Sequence, residues 1–141
     1  MAFETEADRM NEEDAMRVFL RTFACDAYKL EFGAFADYEL RKNGQLRGYV
    51  EIKTRKYTMH QIDRMGGYNL ALQKWEKARR TCNLQQVQFV LLLNLADGVY
   101  YHITRDFQID DCLSSWGRKD RNHVSAIEPA IVLKAHRFAK L

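Results

Sequence analysis

Two carboxylates and a lysine are the residues of this chain whose types and spacing could do chemistry together: Asp37, Glu51 and Lys53. Asp37 and Glu51 stand at about equal sequence distance on either side of Asn43-Gly44, the strongest short hairpin signal in the sequence, so antiparallel pairing would bring their side chains to one spot. Two carboxylates at one spot repel unless a cation lies between them, and hard oxygen donors favour Mg²⁺, with Mn²⁺ as substitute, over zinc. Such an ion polarises a phosphate and lowers the pKa of a bound water. Lys53 follows Glu51 by two positions, hence on the same strand face, where its ammonium could stabilise the extra negative charge of a pentavalent phosphorus transition state. The outline is that of metal-dependent phosphodiester hydrolysis. Glu-x-Lys alone carries little, because charges alternate on any exposed strand face.

The elements that must hold these residues can be read from periodicity. Met16, Phe19, Leu20 and Phe23 recur at helical spacing and predict a helix from about Asn11 to Cys25, with Asn11 as cap and Glu12, Glu13 and Asp14 in the first turn. The period then changes to two around Tyr28, Leu30 and Phe32, and stretches 35–41 and 46–54 flank the Asn-Gly turn, giving three strands in a meander. Stretch 55–65 has no clear period. Gly66-Gly67 precedes a second helix expected from Tyr68 to about Arg80, with Leu72, Trp75, Tyr68 and Ala78 on its apolar side. Strands are expected at 86–95, almost unbroken apolar, and at 99–104 after the Asp97-Gly98 turn. Residues 105–123 read as a long exposed loop, and 126–133 as a last strand closing the sheet, at an edge because of Pro129. The fold class that follows is α+β: a mixed sheet within a single domain over 1–141, in which the second helix is a crossover.

At these residues the chain resembles the PD-(D/E)XK nuclease superfamily, which has the restriction-endonuclease-like, three-layer α/β fold. The match is Phe35-Ala36-Asp37-Tyr38, a short hairpin, then Gly48-Tyr49-Val50-Glu51-Ile52-Lys53-Thr54-Arg55, within the order helix, three antiparallel strands, helix, strand. It covers roughly Glu12 to Thr104 and is especially similar to phage-encoded members and archaeal-type Holliday junction resolvases; no Pro precedes Asp37, a departure from the pattern. The resemblance implies Asp37 and Glu51 as metal ligands, Lys53 as the residue that orients or activates water, and a cut leaving a 5′ phosphate. It also implies a Glu from the first helix beside the metal: Glu13 is the first choice and Glu12 the second, although first-turn acids favoured by the helix dipole explain both equally well. Gln61 and Gln73 are weaker candidates for an amide near the ion.

Charge adds a partner. The net charge of +3 is a sum of opposites: residues 1–40 carry −6, residues 41–80 carry +8 and residues 81–141 carry +1. Arg55, Lys56, Lys74 and Lys77, with Arg64, Arg79 and Arg80 nearby, would contact phosphates, or else form an ordinary cationic helix face. Tyr49, Tyr57 and Tyr68 are either sugar or base contacts or packing residues, and Trp75 and Trp116 are read as packing. The four histidines show no metal spacing, and the three cysteines show neither zinc nor disulfide spacing, which suits a reducing cytoplasm, the host's if the chain is phage-encoded. The longest apolar run, Phe89 to Leu93, is too short to span a bilayer, so no membrane role is expected.

The expected function is therefore an Mg²⁺-dependent DNA endonuclease acting on double-stranded or branched DNA. So small a chain has little area for reading sequence, which favours structure-selective or partner-directed cutting, and a homodimer would supply two sites for two strands. The alternative is a non-catalytic DNA-binding module of the same fold within a phage or DNA-repair assembly. An accidental motif would instead leave Asp37 and Glu51 far apart.

Overall fold

The computed structural model describes residues 5–31, 33–104, 113–117 and 127–141, by their backbone alone at 113–117 and 127–129. In chain order the elements are α1 (Glu6–Thr22), β1 (Asp26–Lys29), β2 (Tyr38–Lys42), β3 (Gln45–Thr54), α2 (Met59–Arg64), β4 (Tyr68–Ala71) and α3 (Leu72–Gln85). They continue as β5 (Gln88–Leu95), β6 (Gly98–Ile103), β7 (Leu113–Gly117), β8 (Ile127–Leu133), a 3₁₀ turn (Ala135–Arg137) and β9 (Ala139–Lys140). The main sheet has the order β1-β2-β3-β5-β6-β9, antiparallel except where β3 runs parallel to β5. A parallel neighbour requires a crossover, and the segment α2-β4-α3 provides it. A second, smaller sheet has the order β4-β8-β7.

The strand period of two divides the main sheet into two packed faces. Val50, Ile52, Val90 and Leu92 lie against Ala15, Met16 and Phe19 of α1. Leu91, Leu93 and Leu95 lie on the other side, against Ile62, Leu70 and Trp75 of the crossover and Ile131 and Leu133 of β8. Each of these faces removes large aliphatic side chains from water, worth about 1.5–3 kcal/mol apiece, and so fixes the register of β3. Because Val50 and Ile52 point to α1, the alternate residues Glu51 and Lys53 point to the side of α3.

Several elements differ from the expectation. Helix α1 starts at Glu6, since Thr5 and Asp8 form a capping box: the Asp8 N–H donates to Thr5 Oγ1 at 3.0 Å and the Thr5 N–H to Asp8 Oδ2 at 3.1 Å. Asn11 is thus inside the helix and the acids at 12–14 are not in its first turn. Stretch 55–65 contains α2, capped by Thr58 and Gln61 in the same way. Tyr68–Ala71 is a strand, whose Tyr68 and Leu70 are buried alternately, and the helix begins only at Leu72. Most of the loop expected at 105–123 lies outside the described residues, but Leu113–Gly117 within it is a strand. Strand β8 does not close the main sheet; it is the middle strand of the second one. Pro129 is tolerated there because β4 pairs with Ala130 to Leu133, so that among the described residues Pro129 has a partner on one side only, Ser115.

Candidate active site

The hairpin β2–β3 sets the two carboxylates. Its ladder runs Lys42↔Gln45 and Arg41↔Leu46, then shifts by one residue, at Arg47, to Leu40↔Gly48 and Tyr38↔Val50. This bulge absorbs the odd residue between turn and motif, so that the register continued past Tyr38 puts Asp37 across from Glu51. Asp37 is tied there by its backbone N–H, which donates to the Val50 carbonyl at 2.9 Å, and by its Oδ2, which accepts the Ile52 N–H at 2.7 Å.

Glu51 is only 3 % exposed, a buried charge that needs partners. It has two. Lys53 Nζ lies 3.2 Å from Glu51 Oε1, and Lys74, from the first turns of α3, makes a close ion pair with the same oxygen. Asp37, Glu51, Lys53 and Lys74 all line one open cavity of about 420 Å³, together with Arg55, Glu12 and Asp8. Burial, and next the neighbouring Glu51 carboxylate, push the Asp37 carboxyl above its ordinary range. Burial likewise pulls the Lys53 ammonium below its ordinary range, opposed by Glu51 and reinforced by Lys74. Perturbed groups of opposite sign in one cleft mark a site where charge can be rearranged.

The remaining sequence candidates separate cleanly. Glu13 is exposed and does not line the cavity; Glu12 does, and pairs with Lys29 of β1. Helix geometry explains this correction: at about 100° per residue Glu12 points along the buried stripe of Ala15, Met16 and Phe19, and Glu13 is turned away from it. Asp8, one turn before Glu12 on the same side, was not expected at the cavity, yet its spacing of four from Glu12 could have signalled it. Gln61 is used in capping α2, where its Oε1 accepts the Thr58 N–H at 2.8 Å, and Gln73 is exposed; neither lines the cavity. Arg55 and Lys74 line it, whereas Lys56 and Lys77 are exposed outside it. Tyr49 is buried, its hydroxyl 2.6 Å from Gln85 Oε1, and belongs to packing.

The donor set fits a hard divalent cation. Among the described residues no group of three or more His, Cys, Asp and Glu is disposed to hold a metal. Mg²⁺ keeps several waters and binds through one or two carboxylates, as Asp37 and Glu51 offer.

A protein-family model described as "Phage putative PDDEXK endonuclease" matches residues 1–141. The chain belongs to this family. The fold agrees: the Holliday junction resolvase Hjc of Archaeoglobus fulgidus is similar in structure, with TM-score 0.51 and 12 % identity over 88 % of this chain and 89 % of that one. None of the curated proteins matches in sequence. Among the described residues of this PDDEXK nuclease family member, no helix is long and apolar enough to cross a membrane.

Proposed function

We propose that this chain is an Mg²⁺-dependent DNA endonuclease, a single domain that cuts double-stranded or branched DNA by structure or by partner rather than by sequence, in the host cytoplasm. The observation that carries the reading is the convergence of Asp37, Glu51 and Lys53 on one open cavity, in a member of a nuclease family. Asp37 and Glu51 would hold Mg²⁺, or Mn²⁺ in its place. Bound there, the ion would polarise the phosphate and supply a water of lowered pKa. Lys53, its ammonium already desolvated, donates to the phosphate oxygen that gains charge. Arg55 and Lys74 hold the phosphate at the cavity, and Lys56 and Lys77 follow the backbone away from it, which makes binding strongly salt-dependent. Two copies, as a homodimer, would cut both strands.

One observation favours a non-catalytic binding module: Lys53 and Lys74 already neutralise Glu51. The same experiment decides between the two readings. Supercoiled, linear, single-stranded and four-way-junction DNA are incubated with the protein and Mg²⁺ or Mn²⁺. Wild type is expected to cut at least one form, and Asp37→Ala and Lys53→Ala to lose about 10²–10³ in rate. Binding without cutting would establish the module instead, and undiminished cutting by both variants would assign the chemistry elsewhere.

A further inference from the structure

A second cavity, of about 380 Å³, adjoins the first and shares Lys53, Arg55 and Lys74 with it. Its volume falls in the range of about 300–1,000 Å³ typical of small-molecule sites. The two cavities differ in chemistry. Among the described residues five acids line the first, Asp8, Glu12, Glu31, Asp37 and Glu51, and no acid lines the second. Beyond the three shared cations the second presents Tyr57, Tyr68, Met65 and Asn69.

Of these groups Tyr57, Met65 and Asn69 are open to a ligand, whereas Tyr68 is buried in the core. Tyr57 is 44 % exposed and Met65 58 % exposed, large apolar surfaces that the core does not use. The backbone beneath Tyr57 is nevertheless fixed, since its carbonyl accepts the Ala96 N–H at 2.8 Å and Thr58 caps α2 immediately after it. The half-buried Asn69 amide, which can both donate and accept, makes no hydrogen bond among the described residues. Gly67 lets the wall close in: a Cβ there would lie 2.6 Å from the Leu133 carbonyl oxygen, so β4 sits tightly against β8. An aromatic ring, a thioether and a free amide behind a cationic border are what a nucleoside recognises: ring faces for stacking, an amide for a base edge, cations for the attached phosphate.

We infer that this second cavity is a nucleoside subsite, which takes the base of an unpaired nucleotide flanking the phosphate held at Asp37, Glu51 and Lys53. The inference rests on the nuclease reading and narrows it. In a duplex every base is stacked and paired, and withdrawing one costs a few kcal/mol, least where the nucleotide is already unpaired. The substrate class is therefore DNA with an unpaired nucleotide beside the scissile phosphate, at a flap, a bulge or a branch point.

The test is made without divalent metal, so that binding is read apart from cleavage. Short duplexes carry 2-aminopurine either in a single-nucleotide bulge or fully paired, and the proteins compared are wild type, Tyr57→Ala, and Tyr28→Ala, an exposed tyrosine of β1 that lines neither cavity. Wild type and Tyr28→Ala should bind the bulged duplex about tenfold more tightly and change the 2-aminopurine fluorescence; Tyr57→Ala should lose both effects. A bulge preference that survives in Tyr57→Ala overturns the subsite. Equal affinity for bulged and paired DNA also overturns it but leaves the nuclease reading intact. Failure to bind either DNA at low salt overturns both.

Discussion

Lys53 and Lys74 meet on one oxygen: β3 supplies the first, α3 the second, and both ammonium groups reach Oε1 of Glu51. A carboxylate this deeply buried is stable only while it is neutralised, and here two cations from different layers of the fold do so. Lys53 is bound to its place by being two residues from Glu51 on the same strand. Lys74 lies 23 residues away and depends on α3 docking, so it is the more easily replaced of the two.

Replacement of Lys74 by methionine should therefore separate the structural from the metal-linked role of this lysine. The loss of a charge-assisted hydrogen bond predicts a destabilisation of about 1.5–3 kcal/mol in metal-free buffer. With Glu51 as the proposed ligand, a divalent cation would compete with the Lys74 ammonium for its carboxylate, so Mg²⁺ should raise the melting temperature of Lys74→Met by more than it raises that of wild type. Thermal denaturation with EDTA and with Mg²⁺ measures both. An equal or smaller Mg²⁺ shift in the variant would mean that the two do not compete.

Asp37 should limit stability in the absence of metal. Burial and Glu51 raise its pKa in the folded state, so its protonated form is the one the fold prefers. A carboxyl raised above its unfolded value of 3.8 favours the fold fully below that pH, and this contribution is lost as the pH rises through the folded value. Asp37→Asn keeps an acceptor for the Ile52 N–H and carries no charge, so at pH 7 and without metal it should melt higher than wild type while cleaving at least 10² more slowly. The gain should vanish below pH 3.8. A variant no more stable than wild type at pH 7 would show that the carboxylate is accommodated without strain.

His102 sets the opposite dependence. It is 7 % exposed, packs edge-on against Phe138 with ring centroids 5.6 Å apart, and its Nε2 has no hydrogen-bond partner among the described residues. Burial, then the Arg137 charge, pull its pKa down from 6.5 to about 4. A base depressed in the fold contributes stability that is complete above its unfolded pKa and lost as the pH falls from 6.5 towards 4, about 3 kcal/mol at most. Chemical denaturation of wild type and His102→Leu across this window should show the fall in wild type and a flatter profile in the variant. Parallel profiles would assign the acid sensitivity to other groups.

The elements that are periodic over their whole length were legible in the sequence: the α1 stripe, the Asn-Gly hairpin, and the apolar run of β5 with its Asp-Gly turn. The misses were local competitions. Tyr68–Ala71 has the length of barely one helical turn, and its state is decided by pairing with β8, some sixty residues on, which no local pattern carries. The capping boxes Thr5-x-x-Asp8 and Thr58-x-x-Gln61 were present as signals; they fix the start of α1 and explain why Gln61 is occupied. Within the site, strand alternation puts Glu51 and Lys53 on one face, whereas Asp37 comes opposite Glu51 only through the bulge at Arg47. Glu12 rather than Glu13 follows from extending the buried stripe of α1 backwards. Lys74 could be suspected from its place at the helix start, but its ion pair with Glu51 depends on the distance between layers, which the sequence does not contain.

The bulge at Arg47 makes the last prediction. Counted from the Asn-Gly turn, Glu51 is one residue farther along β3 than Asp37 is along β2, so an unbroken ladder would set Asp37 against Val50, whose side chain faces α1. The extra residue removes the mismatch. Its deletion should therefore straighten the hairpin and leave Asp37 across from Glu51, and the shortened chain should fold and keep its cleavage within about tenfold of wild type. Gly48 behaves otherwise. It pairs with Leu40 just past the bulge, and a Cβ there would lie 2.5 Å from the Gln88 carbonyl oxygen, so that backbone rather than a side chain has to move. Gly48→Ala should cost about 1–3 kcal/mol, as overpacking does, and should reduce cleavage by shifting β3 against β5 under the site. Denaturation and cleavage assays on the two variants check the pair. A folded Arg47 deletion as inactive as Asp37→Ala would show that the bulge itself, and not the register it restores, positions the carboxylates.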